Sequence, residues 1–246
     1  MKFHLRRAVA ALFVFVLGAS TLAHAAAVSG QGTWESTLQG RSLDDNLSTA
    51  EAYYDTSLNI TWLADANYAG TTMLWSEANT WVSSLNINGN TGWRLPTITD
   101  TGTSGCNYAY SGTDCGYNVN TATGEMAHMF YTTLGDKAYY NTSGWGPNLA
   151  EGLTNTGPFS NIQSSLYWSG TEAPGAVSAW YFNFGNGEQD ASNKVSYYYA
   201  WAVHSGDVGA PLFASPVYLP VPAAAWLFGS GLVGLFGLAR RSARPA

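Results

Sequence analysis

Two periodicities organise the middle of the chain. Apolar positions recur every second residue at Leu58, Ile60 and Trp62, just after Ala52-Tyr53-Tyr54-Asp55 and a polar Thr56-Ser57 pair. This predicts a β-hairpin over residues 52–63. Alternation returns at Trp180, Phe182 and Phe184 ahead of Asn186-Gly187, which signals a type I′ hairpin whose return strand falls on polar residues 188–194. It is longest at Val195, Tyr197, Tyr199, Trp201 and Val203, where it predicts the clearest strand of the chain. Between these regions the spacing becomes helical. Leu74, Ala78, Trp81 or Val82, and Leu85 share one face of a helix over 73–85, with Thr72 as cap and Asn88-Gly89 as stop. A second helix is expected over 124–134, capped by Thr123, with Met126, Phe130 and Leu134 in line and Gly135 as terminator. His128 lies opposite that line and should face solvent. A polar, glycine-rich lead-in carries one strand at 33–38, and residues 141–160 are irregular. Strands, helices and then strands define an α+β domain, not an alternating α/β one.

The two ends follow different rules. Lys2, Arg6 and Arg7 precede an apolar stretch over 8–17, and Ala23-His24-Ala25 offers the small-x-small pattern that signal peptidase cuts, here after Ala25. At the far end Val221-Pro222 opens an uncharged apolar run over 223–239 that stops at Arg240-Arg241. At about 1.5 Å per residue this run covers about 25 Å, enough for a transmembrane helix. The arginines would remain cytoplasmic and the body would lie outside. The order Val-Pro, apolar run, Arg-Arg resembles the PEP-CTERM sorting signal, in a variant reading Leu219-Pro220-Val221-Pro222-Ala223. That resemblance implies a Gram-negative envelope protein processed by an exosortase near the proline motif. A plain C-terminal membrane anchor is the alternative.

The chain thus divides into a signal peptide (1–25), a lead-in segment (26–50), one domain (51–210), a linker (211–220) and the sorting signal (221–246). Only Arg41, Arg94, Lys137 and Lys194 lie in the exported body, against all sixteen carboxylates, a net charge of −12. Such a surface repels phosphate backbones and excludes nucleic-acid binding as the working hypothesis. It suits cations, cationic partners or neutral sugars. Nine of the ten tryptophans are in this body, and core burial must claim most of them. The two cysteines, Cys106 and Cys115, predict a local disulfide in an oxidising compartment.

Four segments carry a second resemblance: Thr61-Trp62-Leu63-Ala64-Asp65-Ala66-Asn67-Tyr68, Trp93-Arg94-Leu95-Pro96-Thr97, Tyr167-Trp168-Ser169-Gly170-Thr171-Glu172, and Ala200-Trp201-Ala202-Val203. In this order they resemble the Lcl-type C-terminal domain, named from a bacterial collagen-like adhesin and belonging to the C-type-lectin-like folds. The resemblance implies that the ends of the domain meet, with residues 58–63 beside 195–203. It also implies two helices on antiparallel sheets, long binding loops, and adhesion or glycan recognition at the cell surface. The chain has no Glu-Pro-Asn, Gln-Pro-Asp or Trp-Asn-Asp triplet of calcium-dependent sugar-binding lectins.

For chemistry, the candidate ligand contacts are Trp168 and Trp180, as sugar platforms, with Arg94 and Glu172. Glu172 is also a possible partner for Arg94. The densest oxygen cluster, Asn183, Asn186, Glu188 and Asp190, could supply half of a calcium shell, or could be polar because a turn requires it. No cofactor besides that possible calcium is implied. The body has two histidines, His128 and His204, and no Gly-x-Ser-x-Gly, His-Glu-x-x-His or phosphate-loop motif. The expectation is a non-catalytic surface or matrix binding protein for polysaccharide or another surface ligand. A structural envelope component and a glycan-acting hydrolase are the alternatives.

Overall fold

The computed structural model describes residues 31–102 and 110–212. The expected signal peptide with Ala25, the run over 223–239 with Val221, Pro222, Arg240 and Arg241, and Cys106 lie outside those residues. Among the described residues no helix is long and apolar enough to cross a membrane.

The domain is built mostly of antiparallel sheet with few helices. After a single helical turn, α1 (Trp34–Thr37), the strands β1 (Leu38–Ser42), β2 (Ala52–Asp55) and β3 (Ile60–Leu63) form a meander. The chain then runs through α2 (Trp75–Ser84), β4 (Gly116–Tyr117), α3 (Glu125–His128) and a π-helical turn (Met129–Thr133). The strands β5 (Leu166–Glu172), β6 (Ser178–Asn183), β7 (Glu188–Asn193), β8 (Val203–Ser205) and β9 (Ala210–Pro211) complete it. One sheet has the order β8-β3-β2-β1-β9 and the other β4-β7-β6-β5.

The ends of the domain meet in the first sheet. β8 pairs with β3 through Ile60↔Ser205, Thr61↔His204 and Trp62↔Val203, and β9 pairs with β1. Arg41, buried in β1, donates to both carboxylate oxygens of Asp207 at 2.6 and 2.9 Å. It also donates to Gln39 and lies 5.3 Å from the Tyr54 ring centroid. A two-bond ion pair with one member buried and a stacked guanidinium holds geometry well.

The hairpin expected at 52–63 is present. Asp55 organises its turn, because its Oδ1 accepts the N–H groups of Ser57 and Leu58. Several other elements differ from expectation. The strand placed at 33–38 begins at Leu38, after the helical turn. The first helix starts at Trp75, where the Glu77 carboxylate accepts the Leu74 N–H at 2.9 Å and fills the capping role expected of Thr72. Val82, not Trp81, is the buried member of its apolar face. The second helical span is close to the expected one, but its winding loosens from α to π at Met129, with Leu134 N–H bonded to the Met129 carbonyl. This brings Met126, Ala127, Met129, Phe130 and Leu134 all into the core. His128 is half-buried and not turned wholly to solvent.

The polar segment after Asn186-Gly187 is a full strand, β7, but the turn is not type I′. Asn183 pairs with Glu188, leaving a four-residue loop in which only Gly187 has a positive φ, of 77°. The strand expected over 195–203 is the main correction. Val195 and Tyr197 are 69 % and 61 % exposed, and only the end of the segment enters β8. Residues 198–203 instead thread the centre of the domain, changing partner at almost every step. Tyr198 exchanges bonds with Met73, Tyr199 with Leu166 and Trp168, Ala202 accepts from Leu63, and Val203 exchanges bonds with Arg94. Alternation here marks neither a continuous ladder nor alternating burial, since residues 200–203 are all buried.

Trp201 is fully buried at the centre of this thread. Its ring lies 4.8 Å from Trp62, 4.9 Å from Phe159 and 5.9 Å from Phe184, and its Nε1–H donates to the Leu63 carbonyl at 2.8 Å. Trp201→Ala is expected to lower stability by about 3–5 kcal/mol, through the lost burial and the cavity left behind. Urea unfolding followed by circular dichroism checks it, and a loss below about 1 kcal/mol would mean the site collapses freely.

Candidate functional site: an exposed aromatic shelf

The four sequence candidates for ligand contact are dispersed. Trp168 is fully buried, donates from Nε1 to the Met73 carbonyl at 3.0 Å and packs 4.4 Å from Tyr198. A ring in that position cannot stack on a ligand while the sheets remain closed. Trp180 is buried with Ile98, Cys115 and Ala173 in a small second core. Arg94 forms a two-bond ion pair with Glu125, both contacts at 2.7 Å, and not with Glu172. Glu172 pairs instead with Lys194, whose ammonium lies over the Trp75 ring. These are supports for the fold. Burial takes the two tryptophans out of a site and ion pairing engages Arg94 and the exposed Glu172, and composition carries neither signal.

The structure gathers a different set of aromatics at the surface. Tyr140 is the hub, with ring centroids 4.8 Å from Tyr139, 5.0 Å from Tyr117 and 5.2 Å from Tyr110. Beside them Trp145 is 77 % exposed, the most exposed aromatic among the described residues, and Leu149 is 91 % exposed. Trp145 stands on a pinned loop. The Asn141 side chain accepts the N–H groups of Ser143 and Trp145 at 2.9 and 3.0 Å. Its backbone N–H donates to the Trp145 carbonyl, and its carbonyl accepts from Gly144. Asn148 closes the loop by donating to the carbonyls of Tyr139 and Ala138. Gly144, at φ 81°, has no room for a side chain, since a Cβ would fall 2.6 Å from the Tyr110 ring.

The polar hairpin end forms the base of this shelf. The Asn186 carbonyl accepts the Tyr139 N–H, and Tyr131 donates its hydroxyl proton to the Gly187 carbonyl while accepting the Asn118 N–H. The Asn118 side chain in turn holds the Tyr140 carbonyl at 2.8 Å. The oxygens weighed as a calcium shell are engaged locally. Asn183 Oδ1 accepts the Gly185 N–H, Asn186 Oδ1 the Glu188 N–H, and Asp190 Oδ1 the Ala191 N–H. Among the described residues no three His, Cys, Asp or Glu side chains group closely enough to hold a metal ion.

Glu188 is opposite Tyr117 in the β4–β7 pairing. Burial first, then Glu188 and the neighbouring tyrosines, pushes the Tyr117 hydroxyl up to about 12, so it stays a neutral donor. Burial, then the Asp190 charge, pushes the Glu188 carboxyl above the usual carboxylate range, against a lowering hydrogen bond from Asn186. Buried Tyr131 is raised for the same reason, by desolvation.

Ser57, Asp55 and His128 come together beside the hairpin turn. Ser57 donates to Asp55 Oδ1 at 2.5 Å and lies 3.1 Å from His128 Nε2. The serine therefore sits between carboxylate and imidazole, whereas nucleophilic catalysis needs the imidazole between them. Asp55 closes the hairpin turn instead. Cys115 is buried and disulfide-bonded, and Cys106 is the only other cysteine of the sequence.

Among known families, the Lcl C-terminal domain matches residues 51–204, more than half of the chain, and the chain belongs to that family. The match runs from the start of the β2–β3 hairpin into β8. Strands β1 and β9, which pair through Arg41↔Pro211 and Ser42↔Ala210, and Asp207, the partner of Arg41, lie outside it. No curated protein matches the chain.

Two outcomes follow from this geometry. Trp168→Ala should cost about 3–5 kcal/mol, whereas Trp145→Ala should change stability by less than about 0.5 kcal/mol, as measured by paired urea denaturations. Glu188 keeps its proton to higher pH folded than unfolded, so in that window stability falls as pH rises. Asp136, raised by burial, adds a slope of the same sign. Glu188→Gln should therefore reduce the slope and raise stability at neutral pH, read from urea midpoints between mildly acid and neutral pH.

Proposed function

We propose that this chain is an exported, non-catalytic recognition module of the cell surface or extracellular matrix that binds polysaccharide on the Tyr110, Tyr139, Tyr140 and Trp145 shelf. The observation that carries the reading is Trp145, held almost fully in water on a loop fixed by Asn141 and Asn148. Leaving an indole exposed forgoes the burial that aromatic rings otherwise gain, and fixing it in advance lowers the ordering cost of binding. An exposed indole face flanked by amide and hydroxyl groups suits sugar rings, which present apolar C–H faces and polar edges.

Membership in the Lcl C-terminal family is consistent with this reading. The meeting of the domain's ends and the long surface loop carrying Trp145 favour a C-type-lectin-like organisation. Export is supported by the basic and apolar N-terminus with its Ala25 exit. Sorting by an exosortase is supported by Val221-Pro222, the apolar run and Arg240-Arg241. The buried disulfide-bonded Cys115 fits an oxidising compartment.

The test is a binding screen of the protein against glycans and exopolysaccharides, with calcium and with chelator. Saturable binding is expected, weakened about 10-fold or more by Trp145→Ala, and unchanged by chelator. A folded protein that binds nothing would make it a structural matrix component, and release of shortened sugars would make it a hydrolase.

A further inference from the structure

Aromatic faces hold neutral, acidic and basic sugars alike, so the shelf's selectivity must come from the charges around it. Glu188 stands at its base opposite Tyr117, and Asp190 follows two residues later on the same face of β7, close enough to act on Glu188. Positive charge is scarce. Of the four basic residues in the body, Arg41, Arg94 and Lys194 are each engaged with a carboxylate, those of Asp207, Glu125 and Glu172. Lys137 is exposed beside the shelf, but a backbone bridge sets it next to Glu151. Within a body carrying −12, Glu188 and Asp190 on this face of β7 weigh toward a cationic ligand.

Building on the recognition reading above, we propose that the shelf selects a polysaccharide carrying free amino groups, a partly de-N-acetylated hexosamine polymer, over uronate- or sulfate-bearing chains. Such a polymer satisfies both halves of the surface. One of its ring faces lies on Trp145 beside the tyrosine cluster, and its ammonium groups meet the negative charge of Glu188 and the neighbouring Asp190. An anionic chain would gain the same ring contacts but would be repelled by both carboxylates.

Calorimetric titration of the full chain with length-matched oligomers of glucosamine, N-acetylglucosamine and a uronic acid tests this. The glucosamine oligomer should bind about 10-fold more tightly than the acetylated one, as expected for two partly exposed ion pairs, with the uronate weakest. Raising salt to roughly 1 M should close the gap, since the Debye length falls to about 3 Å. Glu188→Gln and, separately, Asp190→Asn should narrow the gap while leaving the acetylated oligomer bound. Equal binding of the two hexosamines, or preference for the uronate, with Trp145 still required, would overturn the charge selection and leave the recognition reading intact. Failure of all three oligomers to bind in a Trp145-dependent way would overturn both.

Discussion

The thread of residues 198–203, pinned by Trp201, is the constraint on which the rest of the domain depends. Within six residues it bonds to the segment before α2, to β5, to β3 and to the Arg94 segment, while the Trp201 ring joins Trp62 of the first sheet to Phe184 of the hairpin loop. Two small sheets that share no strand are thereby made one core. Neither sheet could bury its inner face alone, because each is made of short strands and a single small sheet needs a second layer. The hydrogen bond from Trp201 to Leu63 satisfies the one polar atom of a ring that is otherwise surrounded by hydrocarbon.

This arrangement commits most of the large aromatics to the interior and leaves Trp145 on a surface loop. Trp62, Trp168 and Trp201 are committed to the interior, and Arg94 is held by Glu125 at the junction of β8 and α3. What remains free to vary is the irregular stretch between the π-helical turn and β5. There, side-chain amides replace sheet ladders as the source of order. Asn141, Asn148 and Asn118 hold the backbone of the shelf, and the β6–β7 loop supports it from below. A rigid loop on a rigid base is what pre-organised recognition requires. The same hairpin end carries Glu188 opposite Tyr117, so under the proposed reading one element both supports the aromatics and supplies negative charge.

Much of this was legible in the residues. The 52–63 hairpin, the helix ending near Leu85, the helical span from about 124 to 134 and the family all followed from spacing and from segments such as Trp93-Arg94-Leu95-Pro96-Thr97. The errors share a cause. Val195 to Val203 alternates in residue type, yet Val195 and Tyr197 are exposed and residues 200–203 are all buried, and nothing in alternation says whether one neighbouring strand or four different segments supply the hydrogen bonds. Glu188–Asn193 is polar because one face is wet and Gln189 points inward to the Asp114 carbonyl, a strand held by pairing more than by its own propensity.

The sequence by itself determined an acidic, aromatic-rich body between two apolar end segments, together with the periodicities of its elements, because these depend on composition and on neighbours along the chain. Only the tertiary structure decided which of nine body tryptophans stay in water, that Arg94 answers to Glu125 and Glu172 to Lys194, and that Tyr110, Tyr117, Tyr139 and Tyr140 converge. Those outcomes depend on contacts between segments far apart in sequence, where burial and charge pairing are set by distance in space.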